Sequence, residues 1–300
     1  DRRGAGRSLT VPRSLPLALY VHLPWCVRKC PYCDFNSHAV PAGGLAEQAY
    51  VDALRRDLDF AAEPAAGREI VSVFFGGGTP SLFSARGIAS VLDHARGLLP
   101  FARDVEITLE ANPGTVEHGR FADYAAAGVN RISLGAQTFD EAALATLGRI
   151  HGAGDIARAV DELRAAGIDN FNLDLMYALP GQDLQGALAD LERAIALGPA
   201  HLSHYQLTLE PGTPFAKRPP SGLPVDDDAW AMQVECQARL AAAGYAQYEV
   251  SAYAQPGRRC RHNLVYWEYG DYLGVGAGAH GKVTHAATGA TERTVRARHP

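Results

Sequence analysis

The run Leu19-Tyr20-Val21-His22-Leu23-Pro24-Trp25-Cys26-Val27-Arg28-Lys29-Cys30-Pro31-Tyr32-Cys33-Asp34-Phe35 decides the reading of this chain. Its three cysteines are separated by three and then two residues. An iron-sulfur cubane takes one thiolate per iron, so a short loop carrying three cysteines can hold three corners and leave the fourth iron open. A metal short of one protein ligand can take an exchangeable molecule, which separates working metal sites from closed structural ones. Zinc fits less well, because a structural zinc site wants four Cys or His ligands in two pairs, and only His22 and His38 stand nearby to complete one. The odd total of 5 cysteines and their clustering argue against disulfides and suit a reducing compartment.

Outward from that loop, short apolar runs alternate with helical patterns. Candidate strands are Leu17 to Val21, Ile70 to Phe75, Val105 to Leu109, Arg131 to Leu134, Asn170 to Met176 and His201 to Leu207. Helical spacing lies between them, as in Tyr50, Leu54 and Leu58, and in Ile156, Val160 and Leu163. Strands alternating with helices imply an α/β fold with a parallel sheet and right-handed crossovers. Six such units are too few for a closed eight-fold barrel, so the expectation is an open, partial (β/α)6 barrel. Prolines 211, 214, 219, 220 and 224 then crowd a stretch that continues neither helix nor strand ladders. The expected organisation is a tail over 1–14, a core domain over 15–210, a Pro-rich linker over 211–225 and a smaller α+β portion over 226–300. In that last portion Asp226 to Asp228 can cap a helix running to about Ala243, with Met232, Cys236 and Leu240 on its buried stripe.

With 300 residues, 47% of them hydrophobic and 20% charged, the chain can bury a large core. Its net charge of −5 argues against wide nucleic-acid contact and for a small ligand. No run reaches the length of a membrane span, and no signal-peptide pattern appears, so a cytoplasmic protein is expected. The absence of a starting Met leaves the true N-terminus, and any targeting segment, open.

Parallel-sheet proteins place ligands at the carboxyl ends of their strands. The cysteine loop follows the first strand. The second runs into Gly76, Gly77, Gly78 and Thr79, where glycines let backbone approach a ligand and leave amide donors pointing at it. Glu110 ends the third strand, Gln137 follows the fourth and Asp174 lies inside the fifth. A carboxylate in a doubly buried strand is costly unless paired or bound, and Arg149 is the expected partner. An ion pair or a helix cap would account for any one of these residues alone; their joint order points to one site.

The three-cysteine spacing is the signature of the radical S-adenosylmethionine (SAM) superfamily, which the chain resembles from about Leu15 onward. That resemblance implies a [4Fe-4S] cluster on Cys26, Cys30 and Cys33, with the amino and carboxylate groups of SAM on the open iron. Gly-Gly-Gly-Thr-Pro from Gly76 is similar to the oxygen-independent coproporphyrinogen oxidase family. The match implies SAM contacts at Tyr20, Tyr32, Gly77, Gly78, Thr79, Glu110, Gln137, Arg149 and Asp174. The oxidases themselves carry a fourth cysteine where Phe35 stands here and a longer N-terminal extension. Cys30 to Ser37 instead match the haem chaperone branch, as does His262-Asn263-Leu264-Val265-Tyr266-Trp267.

In that branch the histidine of this second motif is thought to ligate haem, which implies His262 as an axial ligand. Chemically, imidazole is a common haem ligand, Tyr266 and Trp267 offer stacking surface, and Asn263 is a polar neighbour able to fix the tautomer. Cys260 is a rival thiolate ligand. Gly274 to Gly281 is a second glycine-rich turn without Rossmann context; in the family it returns towards the SAM pocket. Family members also continue past the position of Pro300, which implies truncation.

Two function classes follow. A carrier would bind haem and pass it to an acceptor protein, soluble or membrane-associated, with cluster and SAM in support. An enzyme would cleave SAM reductively and decarboxylate porphyrinogen propionates. Phe35 and the His262 motif favour the carrier, and fold alone does not choose.

Overall fold

Six apolar runs form parallel strands because their residues are buried on both faces, as neighbouring strands with helices packed across them require. They are β1 (Leu17–Leu23), β2 (Ile70–Gly77), β3 (Phe101–Ala111), β4 (Arg131–Gln137), β5 (Phe171–Tyr177) and β6 (His201–Gln206). Every residue of β4 is buried. The computed structural model describes residues 15–65, 67–114, 121–285 and 288–300. The expected tail over 1–14 lies outside these.

The sheet runs β1-β2-β3-β4-β5-β6 in chain order, all parallel, with pairings such as Val21 to Phe75, Leu109 to Ile132 and Leu173 to Leu202. Helices between the strands lay one apolar stripe on it. Helix α1 (Glu47–Ala62) buries Tyr50, Val51, Leu54 and Leu58, and α2 (Ala85–Leu98) buries Ile88, Val91, Leu92 and Ala95. Helix α3 (Ala153–Ala165) buries Ile156, Val160 and Leu163, and α4 (Leu184–Ala196) buries Ala187, Leu191 and Ala194. Caps set their starts: Ser84 accepts from Gly87 N and Asp183 from Gly186 N.

The Pro-rich stretch carries one helical turn at Pro214–Lys217, where proline suits the first helical position and Thr213 caps the turn. Phe215 N donates to Pro31 O at 3.0 Å, so this stretch buttresses the cysteine loop. Helix α5 (Asp226–Ala242) buries Met232, Cys236 and Leu240. Its N-cap is Val225 without a side-chain bond, and the three aspartates lie within the first turn, where the helix dipole favours them.

The C-terminal segment adds strands to both edges of the same sheet. Strand β7 (Ala252–Ala254) pairs antiparallel with β6, followed by a two-residue strand at Ala246–Gln247. At the other edge β8 (Asp271–Val275) lies parallel to β1, Leu19 opposite Leu273, and carries the antiparallel strands β9 (His280–Thr284) and β10 (Thr291–Val295). A seventh parallel strand is thus present that the apolar pattern did not reveal. Asp271, fully buried, anchors this edge through Arg68 at 2.7 Å, Lys282 at 3.2 Å and Thr284 N at 2.9 Å. Among the described residues no helix is long and apolar enough to cross a membrane.

Candidate functional site

The loop after β1 is shaped by backbone bonds. His38 N donates to Pro24 O at 2.7 Å, Val40 N to Cys26 O at 2.9 Å and Cys33 N to Cys30 O at 3.2 Å. The Lys29 ammonium ties the loop by donating to Phe35 O at 2.9 Å and Ser37 O at 3.1 Å. This folding turns Cys26, Cys30 and Cys33 into one cavity, half-buried and not disulfide-bonded. Burial raises the Cys26 and Cys33 thiols, and neighbouring cysteines add to it. Thiolates here therefore need a compensating positive charge, which a metal centre supplies. A mononuclear ion needs donors converging on one point, and among the described residues no group of three or more His, Cys, Asp or Glu does so. Three half-buried thiols lining one cavity are a donor set that three corners of a cubane could take.

The glycine run at the end of β2 forms the adjacent wall. Gly77 has φ +115, and a Cβ there would lie 2.4 Å from the His22 ring; one at Gly78 would lie 2.5 Å from Trp25 O. Glycine is required because the loop and the strand end touch. Its amides are not free, contrary to expectation: Gly77 N donates to Glu110 Oε2 at 3.1 Å, Gly78 N to Leu23 O at 2.8 Å and Thr79 N to Trp25 O at 2.7 Å.

Glu110 and Asp174 reach the floor from β3 and β5. Burial, with the Asp174 charge adding to it, pushes the Glu110 carboxyl up to about 8, against the Gly77 N–H that favours the ion. Burial likewise raises Asp174, opposed by hydrogen bonds from Ser203, Asn172 and Ser133. The expected Arg149–Asp174 pair does not form. Arg149 Nη2 donates to Gly135 O at 2.8 Å and to Asn112 Oδ1, and Nη1 lies 3.7 Å from Cys30 Sγ. Its buried Nε has no hydrogen-bond partner among the described residues. Gln137, the last residue of β4 with φ 68, accepts from the Tyr205 hydroxyl at 2.8 Å.

Tyr32, Thr79, Gly77, Gly78, Glu110, Gln137, Arg149 and Asp174 thus line one cavity with the three cysteines. Sequence reasoning passed over Asn112, which bonds both Arg149 and Thr79 Oγ1, the latter at 3.0 Å. Its place two residues after Glu110, before Pro113 at a strand end, was the available signal. His22 was also passed over as a site residue. Its Nε2–H donates to Asn36 O at 2.9 Å, leaving Nδ1 to accept from the Tyr20 hydroxyl at 2.9 Å.

Tyr20 faces a second, adjoining cavity that shares Phe35, Gly77 and Glu110 with the first and is bounded by Tyr266, Tyr272, Gly278 and His280. The turn before β9 is fastened there by Asn36 Nδ2, which donates to Ala277 O at 3.0 Å.

His262 sits on α6 (Arg261–Trp267), 5% exposed, and lines neither cavity. Its ring stacks on Phe74 at 4.5 Å and meets Tyr266 edge-on at 4.8 Å. Burial first and the Arg131 charge second lower its pKa to about 3, so the imidazole is neutral at physiological pH, the form that ligates metals. Its buried Nδ1 has no hydrogen-bond partner among the described residues. Asn263 does not fix this tautomer; it donates to the Tyr248 hydroxyl at 3.2 Å. The Cys260 thiol is 2% exposed and points inward to Glu106 at 3.5 Å, and burial lifts its pKa to about 11. Trp267 is half exposed and Tyr266 partly so, leaving aromatic surface beside the second cavity.

Residues 20–194 match the family model of the radical SAM superfamily. The chain is 55% identical over 285 residues to the haem chaperone HemW of Escherichia coli strain K12, which covers 95% of this chain and 75% of that protein. It is 50% identical over 294 residues to the haem chaperone HemW of Haemophilus influenzae, covering 97% of this chain and 76% of that one. Among solved structures, coproporphyrinogen III oxidase (HemN) from Escherichia coli, described as a radical SAM enzyme, superposes with a TM-score of 0.78 at 27% identity, over 89% of this chain and 65% of that one.

Proposed function

The chain belongs to the radical SAM superfamily and, within it, to the family of HemW haem chaperones, and from that membership we propose that it binds a [4Fe-4S] cluster, SAM and haem, and passes the haem to an acceptor protein. The observation that carries the reading is the meeting of two features at one place. Three cysteine thiols and two half-buried carboxyls share a cavity, and the motif helix α6, outside it, stacks its histidine on Phe74 of β2 and on Tyr20, which lines the adjoining cavity.

When bound, the cluster supplies an electron and an iron open to the amino acid group of SAM. The chain's own residues do the holding. Cys26, Cys30 and Cys33 are the cluster ligands, and Arg149 beside Cys30 offsets thiolate charge. Gly77 and Gly78 allow close approach, Glu110 takes hydroxyl or cationic groups of SAM once ionised, and Thr79, Gln137, Asp174 and the Tyr32 ring complete the wall; Tyr20 borders it through His22. His262 would hold haem iron through its imidazole. At 5% exposure its ring reaches a macrocycle only if α6 shifts outward, with Tyr266 and Trp267 then supplying stacking surface.

The enzyme reading is disfavoured by Phe35, which stands where coproporphyrinogen oxidases have a further cysteine and lies 62% exposed on the rim of both cavities. Haem titration of anaerobically reconstituted protein, run beside an assay of coproporphyrinogen III decarboxylation, separates the two. Stoichiometric haem binding without turnover is expected. Robust turnover with SAM and an electron donor overturns the carrier reading.

A further inference from the structure

A run of side chains unused by any role above joins the cavity to α6. Asp174 Oδ1 accepts from Asn172 Nδ2 at 2.7 Å, and Asn172 Oδ1 accepts from His201 Nδ1 at 2.7 Å. His201 Nε2, left as the acceptor, accepts a hydrogen bond from the Tyr248 hydroxyl at 2.7 Å. Tyr248 Oη then accepts from Asn263 Nδ2 at 3.2 Å and Cys260 N at 3.3 Å. The carboxylate end can only accept and the Asn263 end only donates, so the run has a single polarity. Asn172 and His201 are each 1% exposed, and burial keeps His201 neutral, as this polarity needs.

Asn172 is the node. Its amide nitrogen also donates to Ser133 Oγ at 2.8 Å, and its oxygen also accepts from Ser203 at 3.2 Å. A ligand that draws Asp174 away leaves a buried N–H without its acceptor. Turning the amide to recover a partner sets N–H against the Nδ1–H of His201, so the disturbance is passed on to Tyr248 and Asn263. At the far end α6 is otherwise tied at its start by Glu106, which accepts from Arg261 N at 2.9 Å and His262 N at 3.4 Å. With Asp104, which accepts from the Arg261 guanidinium, the part-buried Tyr248 is one of three polar ties among the described residues on the helix that must move to present His262.

We infer that Asn172, His201 and Tyr248 are positioning residues that couple ligand occupancy at Asp174 to the seating of α6. This rests on the SAM and haem sites proposed above. Coupling of this kind is reciprocal and commonly changes an equilibrium by about fivefold or more.

The test is amide hydrogen exchange of residues 261–268 in anaerobically reconstituted protein with and without saturating SAM, binding being confirmed by calorimetry. SAM is expected to change α6 exchange by about fivefold or more in the native protein. Tyr245→Phe, which removes a hydroxyl bonded to Pro199 O outside the run, is expected to preserve that response. Tyr248→Phe should reduce it several-fold while leaving SAM binding detectable; Asn263→Ala, which removes the side-chain donor to Tyr248 Oη and leaves Cys260 N, should reduce it to a lesser degree and replaces it if the Tyr248 variant does not fold. Bound SAM with unchanged α6 exchange overturns the coupling and leaves the proposed function standing, and a full response in both variants overturns it too. Failure of the native protein to bind SAM overturns the proposed function and the coupling with it.

Discussion

Replacing Glu110 with Gln should remove a pH dependence from SAM binding that the native carboxyl imposes. With its pKa at about 8, raised by burial and by Asp174, Glu110 is mostly neutral at pH 7. A ligand that requires the carboxylate must first displace the proton. Each pH unit below the pKa costs about 1.4 kcal/mol, so the penalty is roughly tenfold in affinity at pH 7 and about a hundredfold at pH 6. Native affinity should therefore strengthen by about tenfold from pH 6 to pH 7 and level off above pH 8, with close to one proton released per SAM at pH 7. Calorimetry of the reconstituted protein in buffers of differing ionisation enthalpy reads both quantities. Because the ligand's own titration is common to both proteins, the ratio of native to Glu110→Gln affinity isolates the carboxyl. A ratio that stays constant from pH 6 to pH 8, with no proton release, refutes the reasoning. The same raised pKa sets the sign for stability of the ligand-free protein: the neutral carboxyl's contribution is complete well below pH 4.5 and is lost as pH rises through about 8.

Alanine at Cys26, Cys30 or Cys33 should abolish the broad visible absorption of the anaerobic protein, whereas Cys236→Ala and Cys260→Ala, both buried in the core, should keep it; loss of the chromophore in either of the latter pair would contradict the ligand assignment. His262→Ala should shift or remove the haem Soret band and spare the cluster spectrum, and an unaltered Soret band would reduce the motif to packing. Gly77→Ala, at φ +115 against the His22 ring, should cost about 1–3 kcal/mol by thermal unfolding and weaken SAM binding; a melt equal to the native one would show that the strand end relaxes freely.

How much was legible in the chain follows from the range of the forces involved. The six core strands and the helices over Glu47–Ala62 and Ala153–Ala165 could be read directly, because apolar period and strand alternation are local consequences of burial. The cysteine loop could be read because ligand spacing is itself local. Strand β8 could not, since Asp271-Tyr-Leu-Gly-Val is short and polar at its start, and a buried Asp271 is tolerable because Arg68, Lys282 and Thr284 meet it from other elements.

By itself the sequence determined the six-strand parallel α/β core and the presence of residue types suited to a cluster and to haem. Only the tertiary structure decided who partners whom. Arg149 turns to Cys30 and Asn112 rather than to Asp174, the amides of the glycine run are taken by Glu110 and by the backbone of Leu23 and Trp25, and Asn263 bonds Tyr248 rather than fixing His262. Side-chain hydrogen bonds are set by geometry over a few ångströms between segments tens to hundreds of residues apart, such as Cys30 and Arg149 or Glu106 and Arg261. No periodicity in the chain encodes that meeting, which exists only once the sheet has brought the strand ends together.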